Sequence, residues 1–255
     1  MIIKRLFDNK IAKYIFFTIL GIGIVFLIWY LISVNTYKTL FPDPLSVISR
    51  FGELFIIGST YEAIGGTLLR LFISILISFL LALILGIFGG LNESIYRTLN
   101  PLVIVLRTLP VVAIIFIIIV LLKPTYALFI ITSLTMFPLM YEAVASGIRG
   151  INPNIMDSLR LETSKYHPYA LFRIIIPCAK DNIILGLIQS LGLGMKVSLM
   201  AETLVGTNTI KGLGRMIYQS YLDLDMINVF AVALYAVILI GIIDIIVHIL
   251  KKHFQ

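Results

Sequence analysis

One cysteine, Cys178, stands in the whole chain. A lone thiol closes no intrachain disulfide and builds no thiolate metal cluster. Charge is scarce too. Asp, Glu, Lys and Arg make up 13% of the 255 residues, against roughly a quarter in soluble domains. Histidine occurs only as His167, His248 and His253, none of them mid-run beside a serine or a carboxylate pair, and no His-Glu-x-x-His pattern offers a metal site. Ser146, between Ala145 and Gly147, superficially resembles an intramembrane protease serine but lacks a histidine at membrane depth. A phosphate-binding Walker A loop is missing as well: Gly206 to Gly212 contains Lys211 but neither the spacing nor the following Ser or Thr. These absences exclude ATP hydrolysis by that route, leave no catalytic centre and imply no cofactor. The chain is expected not to be an enzyme.

What is abundant is apolar. Hydrophobic residues reach 60% and mean hydropathy is +1.05, values that belong in lipid. The net charge of +7 is spread singly between apolar runs, so it forms no nucleic-acid-binding stripe. Six segments approach the roughly 20 apolar residues needed to cross a bilayer: about 14–34, 63–91, 101–122, 126–147, 182–205 and 226–250. The third carries Arg107 and is expected to kink at Pro110. The first follows Lys4, Arg5, Lys10 and Lys13 as a signal peptide would, but it is too long for an h-region and no small-x-small cleavage site follows, so a retained anchor is expected.

Loop charges set the orientation. With the N-terminus inside, Lys4, Arg5, Lys10, Lys13, Arg97, Arg149, Arg160, Lys165, Arg173, Lys180, Lys251 and Lys252 face the cytoplasm. Those twelve of the twenty basic residues compare with five outside, namely Lys38, Arg50, Lys123, Lys211 and Arg215; Arg70, Arg107 and Lys196 lie within spans. The bias places both termini in the cytoplasm of a multi-pass protein of the cell (plasma or inner) membrane.

The inner loop 149–181 is too long for a turn. Asn152-Pro153 reads as an N-cap and N1 proline, Pro168 and Pro177 are expected to bracket a second short helix, and Tyr166, Tyr169, Leu171, Phe172, Ile174, Ile175 and Ile176 make that part apolar. Such a segment suits a docking surface; lying flat on the lipid is the other reading. Among the charges within spans, which cost about 2.5–3.5 kcal/mol each on insertion scales, Arg70 and Arg107 are expected to snorkel. Asp244 and His248 are expected to pair along one helix face. Lys196 and Glu202 lie about 240° apart around a helix, so Lys196 either pairs with another helix or faces a pathway.

The end of this loop, Ile174-Ile175-Ile176-Pro177, is similar to the Ile-x-Leu-Pro that closes the loop motif of ATP-binding-cassette importer permeases. At that motif's Glu-Ala-Ala and Gly positions stand Ser158-Leu159-Arg160 and Ser164. Phe41-Pro42-Asp43-Pro44-Leu45, Thr67-Leu68-Leu69-Arg70, Asn100-Pro101-Leu102, Leu106-Arg107 with Pro110, Met195-Lys196 through Ala201-Glu202, Gly212-Leu213-Gly214 and Val229-Phe230-Ala231 with Gly241 and Asp244 together resemble the nitrate/sulfonate/taurine-type permeases over about residues 40–250. Val111, Phe116 and Met195 depart from that pattern.

The resemblance implies an all-α membrane protein of the type I (MetI-like) importer permease fold, a single domain over 1–255, with six spans and cytoplasmic coupling helices between spans 4 and 5. It implies a translocation pathway for a small solute: a nitrate-, sulfonate- or taurine-like anion, or a vitamin precursor. It also implies a second copy of the chain, two cytoplasmic ATP-binding subunits and an extracytoplasmic substrate-binding protein, all meeting at the lipid bilayer, with no nucleic acid. Ser158, Ser164, Tyr166, Tyr169, Leu171, Phe172, Ile174 and Pro177 would couple to the ATPase, and Lys196, Met195, Ser198 and Glu202 would stand at the pathway. An ATP-independent secondary transporter or channel is the alternative, and it would call for inverted repeats and broken helices holding ion ligands.

Overall fold

The structure is a computed structural model that describes residues 10–37, 39–206 and 210–254. Lys4, Arg5 and Lys38 lie outside the described residues, as do the side chains of Lys10, Asp244, His248, Lys251 and Lys252, and with them the expected Asp244–His248 pair. Every regular element among the described residues is helical, as lipid demands of a backbone that must satisfy its own hydrogen bonds.

The first apolar run, 14–34, lies within α1 (Lys10–Val34). Its apolar side chains are almost all exposed, and the chain beyond it is tied back by Trp29 Nε1 donating to the Pro42 carbonyl at 3.1 Å and Ser33 Oγ to that of Phe41 at 3.1 Å. Asp43 caps α2 (Pro44–Leu54) by accepting from the Ser46 N–H at 3.0 Å, with Pro44 in the first turn. α3 (Gly58–Leu91) runs 34 residues to Asn92, which ends it and also caps α4 (Glu93–Thr108) by accepting from the Ser94 N–H at 2.9 Å. α5 (Val111–Leu121) and α6 (Pro124–Arg149) follow.

Five helices are each long and apolar enough to cross a membrane, and α4 with α5 passes that test only as a pair. The bend expected at Pro110 is present and sharp: the two helices meet at 99°. Leu109 is extended (φ −62°, ψ 132°), as a residue before proline prefers. Pro110 supplies no N–H to continue α4.

Asn152 caps α7 (Pro153–Glu162) by accepting from the Asn154 N–H at 2.9 Å, as the Asn-Pro pair predicts. The second short helix expected between Pro168 and Pro177 is not separate. It opens α8, a continuous helix over Pro168–Val205 that contains a π turn at Leu171–Ile175, where the Ile176 N–H reaches back to the Leu171 carbonyl. An ordinary α-turn would press the Pro177 ring against the carbonyl of Arg173 and leave that carbonyl without a donor. The wider π turn just before it opens the space, so the proline is carried through instead of ending the helix. Gly206 ends α8 at φ +58°, the left-handed cap that glycine adopts without strain. α9 (Leu213–Leu222) and α10 (Met226–Phe254) complete the chain.

α6 is the centre of the bundle. Leu128, Ile131, Met136, Met140, Tyr141 and Val144 on it are at most 2% exposed. Lipid gives no hydrophobic drive to helix association, so close van der Waals contact through small residues must supply it. A Cβ on Gly86 of α3 would come within 2.7 Å of Val144, and one on Gly186 of α8 within 2.3 Å of Ala143; the backbones meet where only hydrogen fits. At one end, Leu91, Val144, Ile148, Leu159, Ala170 and Ile175 bind the loop helices to α3 and α6. At the other, Val47, Leu54, Ala63, Leu213, Ala231 and Tyr235 gather α2, α3, α9 and α10.

Candidate functional site

Three polar constellations stand out from this apolar frame, and the first is buried. Glu202 on α8 has no exposed surface. Its Oε1 accepts from Arg70 Nη2 at 2.7 Å and Nε at 3.0 Å; its Oε2 accepts from Thr67 Oγ1 at 2.9 Å and the Gly214 N–H at 3.0 Å. Thr67 Oγ1 accepts from the Leu213 N–H, and Arg70 Nη2 also donates to the Lys211 carbonyl at 2.6 Å. The Gly212 backbone lies so near that a Cβ there would come within 2.4 Å of both charged groups. The Arg70 side chain is 13% exposed, so it does not snorkel as expected. A carboxylate in a low-dielectric interior draws a cation and N–H donors to itself more strongly than headgroups draw the cation out. This knot ties α3 and α8 to the segment leading into α9. Met195, Ser198 and Glu202, three of the four residues expected at a pathway, are packed inside the bundle.

Lys196, the fourth, is exposed, as are Gln189 and Asn182. The three recur at seven-residue intervals on α8 and so share one face. Beside the lower two lies a cavity of about 230 Å³, to which α4 contributes Arg107 and α6 contributes Glu142 and Ser146. Asn182, Gln189, Lys196 and Arg107 have no hydrogen-bond or ion partner among the described residues, and Glu142 accepts only from Tyr96 Oη at 3.5 Å. Each of these would cost several kcal/mol facing hydrocarbon unpaired, on the order of the price of any orphaned polar group in lipid. The face therefore borders water or a polar partner. The seven-residue repeat of Asn182, Gln189 and Lys196 was the sequence signal that could have found it.

The third constellation is the loop. Of the residues expected to couple, Tyr169 (60%) and Phe172 (70%) are strongly exposed; Tyr166, Ser158, Ser164 and Pro177 are also exposed. Leu171 and Ile174 pack inward on the core beneath. A cleft between α7 and α8 is lined by Ile155, Ser158, Leu159, Glu162 and Ile174. Lys165, read from sequence only as a loop charge, sends Nζ to the Leu91 carbonyl at 2.6 Å, at the C-terminus of α3, where helix carbonyls lack partners and the dipole favours a cation. The Tyr166 ring lies 6.3 Å from that of Phe88 on the same last turn.

No group of three or more His, Cys, Asp or Glu side chains capable of holding a metal occurs among the described residues.

Comparison with known proteins fits this geometry. The permease protein SsuC of Bacillus subtilis (strain 168), named for aliphatic sulfonates, is 29% identical over 181 residues, which cover 70% of this chain and 64% of that relative's length. The nitrate import permease protein NrtB of Synechocystis sp. (strain ATCC 27184 / PCC 6803 / Kazusa) is 25% identical over 236 residues, covering 88% of this chain and 82% of NrtB. Inward-facing structures of the MetNI methionine ABC transporter contain a chain that superposes with a TM-score of 0.68 at 18% identity, over 78% of this chain and 98% of that one. A bacterial alginate ABC transporter, solved with its alginate pentasaccharide-bound periplasmic protein, superposes at 0.64 and 17% identity, over 96% and 95% of the two chains. The fold is thus that of the MetI-type importer permeases. Residues 78–255 match the family described as the inner membrane component of binding-protein-dependent transport systems, and the chain is a multi-pass membrane protein belonging to that family.

Proposed function

We propose that the chain is the translocating subunit of an ATP-driven importer, working as two copies with two cytoplasmic ATP-binding subunits and an extracytoplasmic binding protein. Both termini face the cytoplasm in this reading, on the twelve-to-five charge split. One observation carries it. The helix that displays Tyr169 and Phe172 is the same unbroken α8 that bears Asn182, Gln189 and Lys196. From Phe172 to Lys196 is 24 residues, about 36 Å of helix. A push on the aromatic end is therefore delivered to the polar face without crossing a flexible joint. ATP binding in a partner would bias this rod between two orientations, and with it the direction in which the pathway opens.

Exposed aromatics of this kind are often worth about 2 kcal/mol or more at an interface. Tyr169→Asp and Phe172→Asp should accordingly weaken retention of the ATP-binding subunit by roughly 30-fold, while insertion of the spans is unaffected. Copurification from membranes measures this. Full retention by both variants would leave the loop as a lipid-surface segment and defeat the coupling assignment.

Lys196 would supply positive charge at mid-span for an anionic solute, as the sulfonate and nitrate relatives suggest. Lys196→Met should lower uptake about tenfold in complexes that still assemble; if assembly fails instead, Lys196 is a structural partner of a neighbouring helix and not a pathway residue. The bent α4–α5 pair is the one feature that favours an ATP-independent transporter. Uptake that persists in membranes lacking ATP would decide for that alternative.

A further inference from the structure

α2 stands apart from the spans. At 11 residues it is too short to cross a bilayer, and its side chains sort into three faces. Stepping about 100° per residue, Pro44, Val47, Phe51 and Leu54 fall together on the packed face, where Val47, Phe51 and Leu54 join the cluster that holds Ala231, Val232 and Tyr235 of α10. Ser46, Ser49, Arg50 and Glu53 make a second face, and all four line an open cleft against Asp225 and Ile227, where α9 gives way to α10. Leu45, Ile48 and Phe55 make the third, within about 80° of one another. All three are exposed, Leu45 by 75%, and Gly52 between them adds no polar group. The three faces are centred about 120° apart, so the helix is built for three different surroundings.

A helix wholly in hydrocarbon could not carry the serines, arginine and glutamate of the second face. A helix wholly in water would gain nothing from a stripe of large exposed apolar side chains. Protein, water and lipid meet along one line only, the rim of the protein at the bilayer surface. From this we infer that α2 is an interfacial helix, with Leu45, Ile48 and Phe55 inserted among the headgroups and upper acyl chains of the outer leaflet. Aromatic rings with polar tips favour that depth, and three of them hold α2 and its approach. Trp29 Nε1 of α1 donates to the Pro42 carbonyl at 3.1 Å, Tyr235 Oη of α10 to that of Phe51 at 3.2 Å, and Tyr61 Oη of α3 to that of Phe55 at 2.8 Å. Trp29 stands among the exposed apolar side chains of α1, so the lipid-facing surface of that span adjoins the start of α2. On the wet face, Arg50 Nε donates to Asn228 Oδ1 at 3.0 Å, and Asn228 Nδ2 to Ser220 Oγ at 2.6 Å. Seating α2 in lipid therefore also braces the junction of α9 and α10. The inference goes beyond the permease reading and takes from it only the choice of leaflet.

The test uses the full chain in nanodiscs of phosphatidylethanolamine and phosphatidylglycerol. On a Cys178→Ser background, Leu45→Cys, Ile48→Cys, Ser49→Cys and Glu53→Cys each carry a nitroxide. Electron paramagnetic resonance then reads its collisions with oxygen, which concentrates in lipid, and with a nickel chelate, which stays in water. Oxygen should dominate at positions 45 and 48, and the ratio should invert at positions 49 and 53. Trp29, the only tryptophan in the chain, reports depth without any substitution, so the test survives a label that disturbs folding. Phospholipids brominated near the headgroup end of their acyl chains should quench it more than those brominated near the methyl end. Nickel dominance at positions 45 and 48 would make the stripe a face open to water, fit for a soluble partner. Protection there from both reagents would mean that a second copy of the chain covers it. Stronger quenching by the deep bromines would place the α1–α2 junction inside the hydrocarbon. Each of these overturns the inference, and none touches the permease assignment, which stands or falls on copurification of the ATP-binding subunits.

Discussion

Arg70→Met is expected to strip the folded protein of about 3–5 kcal/mol, because it leaves the Glu202 carboxylate buried without its counter-charge. Glu202→Gln should do comparable damage from the other side, stranding a guanidinium that is only 13% exposed. The double variant, Arg70→Met with Glu202→Gln, should recover most of the loss. The glutamine carbonyl can still accept from Thr67 Oγ1 and the Gly214 N–H, which now donate to Glu202 Oε2 at 2.9 and 3.0 Å, and no charge remains to desolvate. Recovery will be incomplete, since the Lys211 carbonyl loses the Arg70 donor now 2.6 Å away. Thermal unfolding of the purified complex reads all three variants. Single variants that melt within about 2 °C of the parent, or a double variant no better than the worse single, would show that the pair is solvated and that the knot does not hold the 210–214 segment. Thr67 and Arg70 lie 132 and more positions from the partners they bind, so the result also tests whether α3, α8 and the start of α9 form one cooperative unit.

That sequence distance marks the limit of what could be read without a structure. Apolar runs announced the spans because lipid accepts little else, and the Asn152-Pro153 cap was local chemistry visible in two residues. The expected snorkelling of Arg70 failed for the opposite reason. Depth along one helix says where a charge would reach headgroups, but nothing about a carboxylate arriving on another helix. The two prolines act in different ways. Pro110 signals a break, yet whether the chain kinks or turns through 99° depends on what the following helix packs against. Pro177 signals an end, but the π turn at Leu171–Ile175 absorbs it at the cost of one register shift that no periodicity reveals. The pieces that resembled the importer permeases, Thr67 to Arg70, Ala201-Glu202 and Gly212 to Gly214, each looked unspecific alone. They converge on one carboxylate, which explains why those residue types occur together.

The loop offers the other large effect, through Lys165. Its ammonium caps α3 at the Leu91 carbonyl, and its neighbour Tyr166 rests against Phe88 of the same turn, so the linker between α7 and α8 is anchored to α3 as well as continuous with α8. If ATP-driven motion enters at Tyr169 and Phe172, α8 receives it directly and α3 receives it through this contact. Lys165→Met should therefore cut uptake by roughly tenfold, the scale of losing one charge-assisted hydrogen bond, while the ATP-binding subunits stay bound and continue to hydrolyse ATP. Lys165→Arg, which keeps a cationic donor of similar reach, should restore most of the uptake. A tether that merely stabilised the fold would behave differently: uptake, subunit retention and melting temperature would fall together. The ratio of solute moved to ATP hydrolysed separates the two cases, because only a broken transmission lowers it in complexes that are otherwise intact. An unchanged ratio in Lys165→Met would mean that α3 follows α8 through their shared packing on α6, and that the 2.6 Å contact carries none of the stroke.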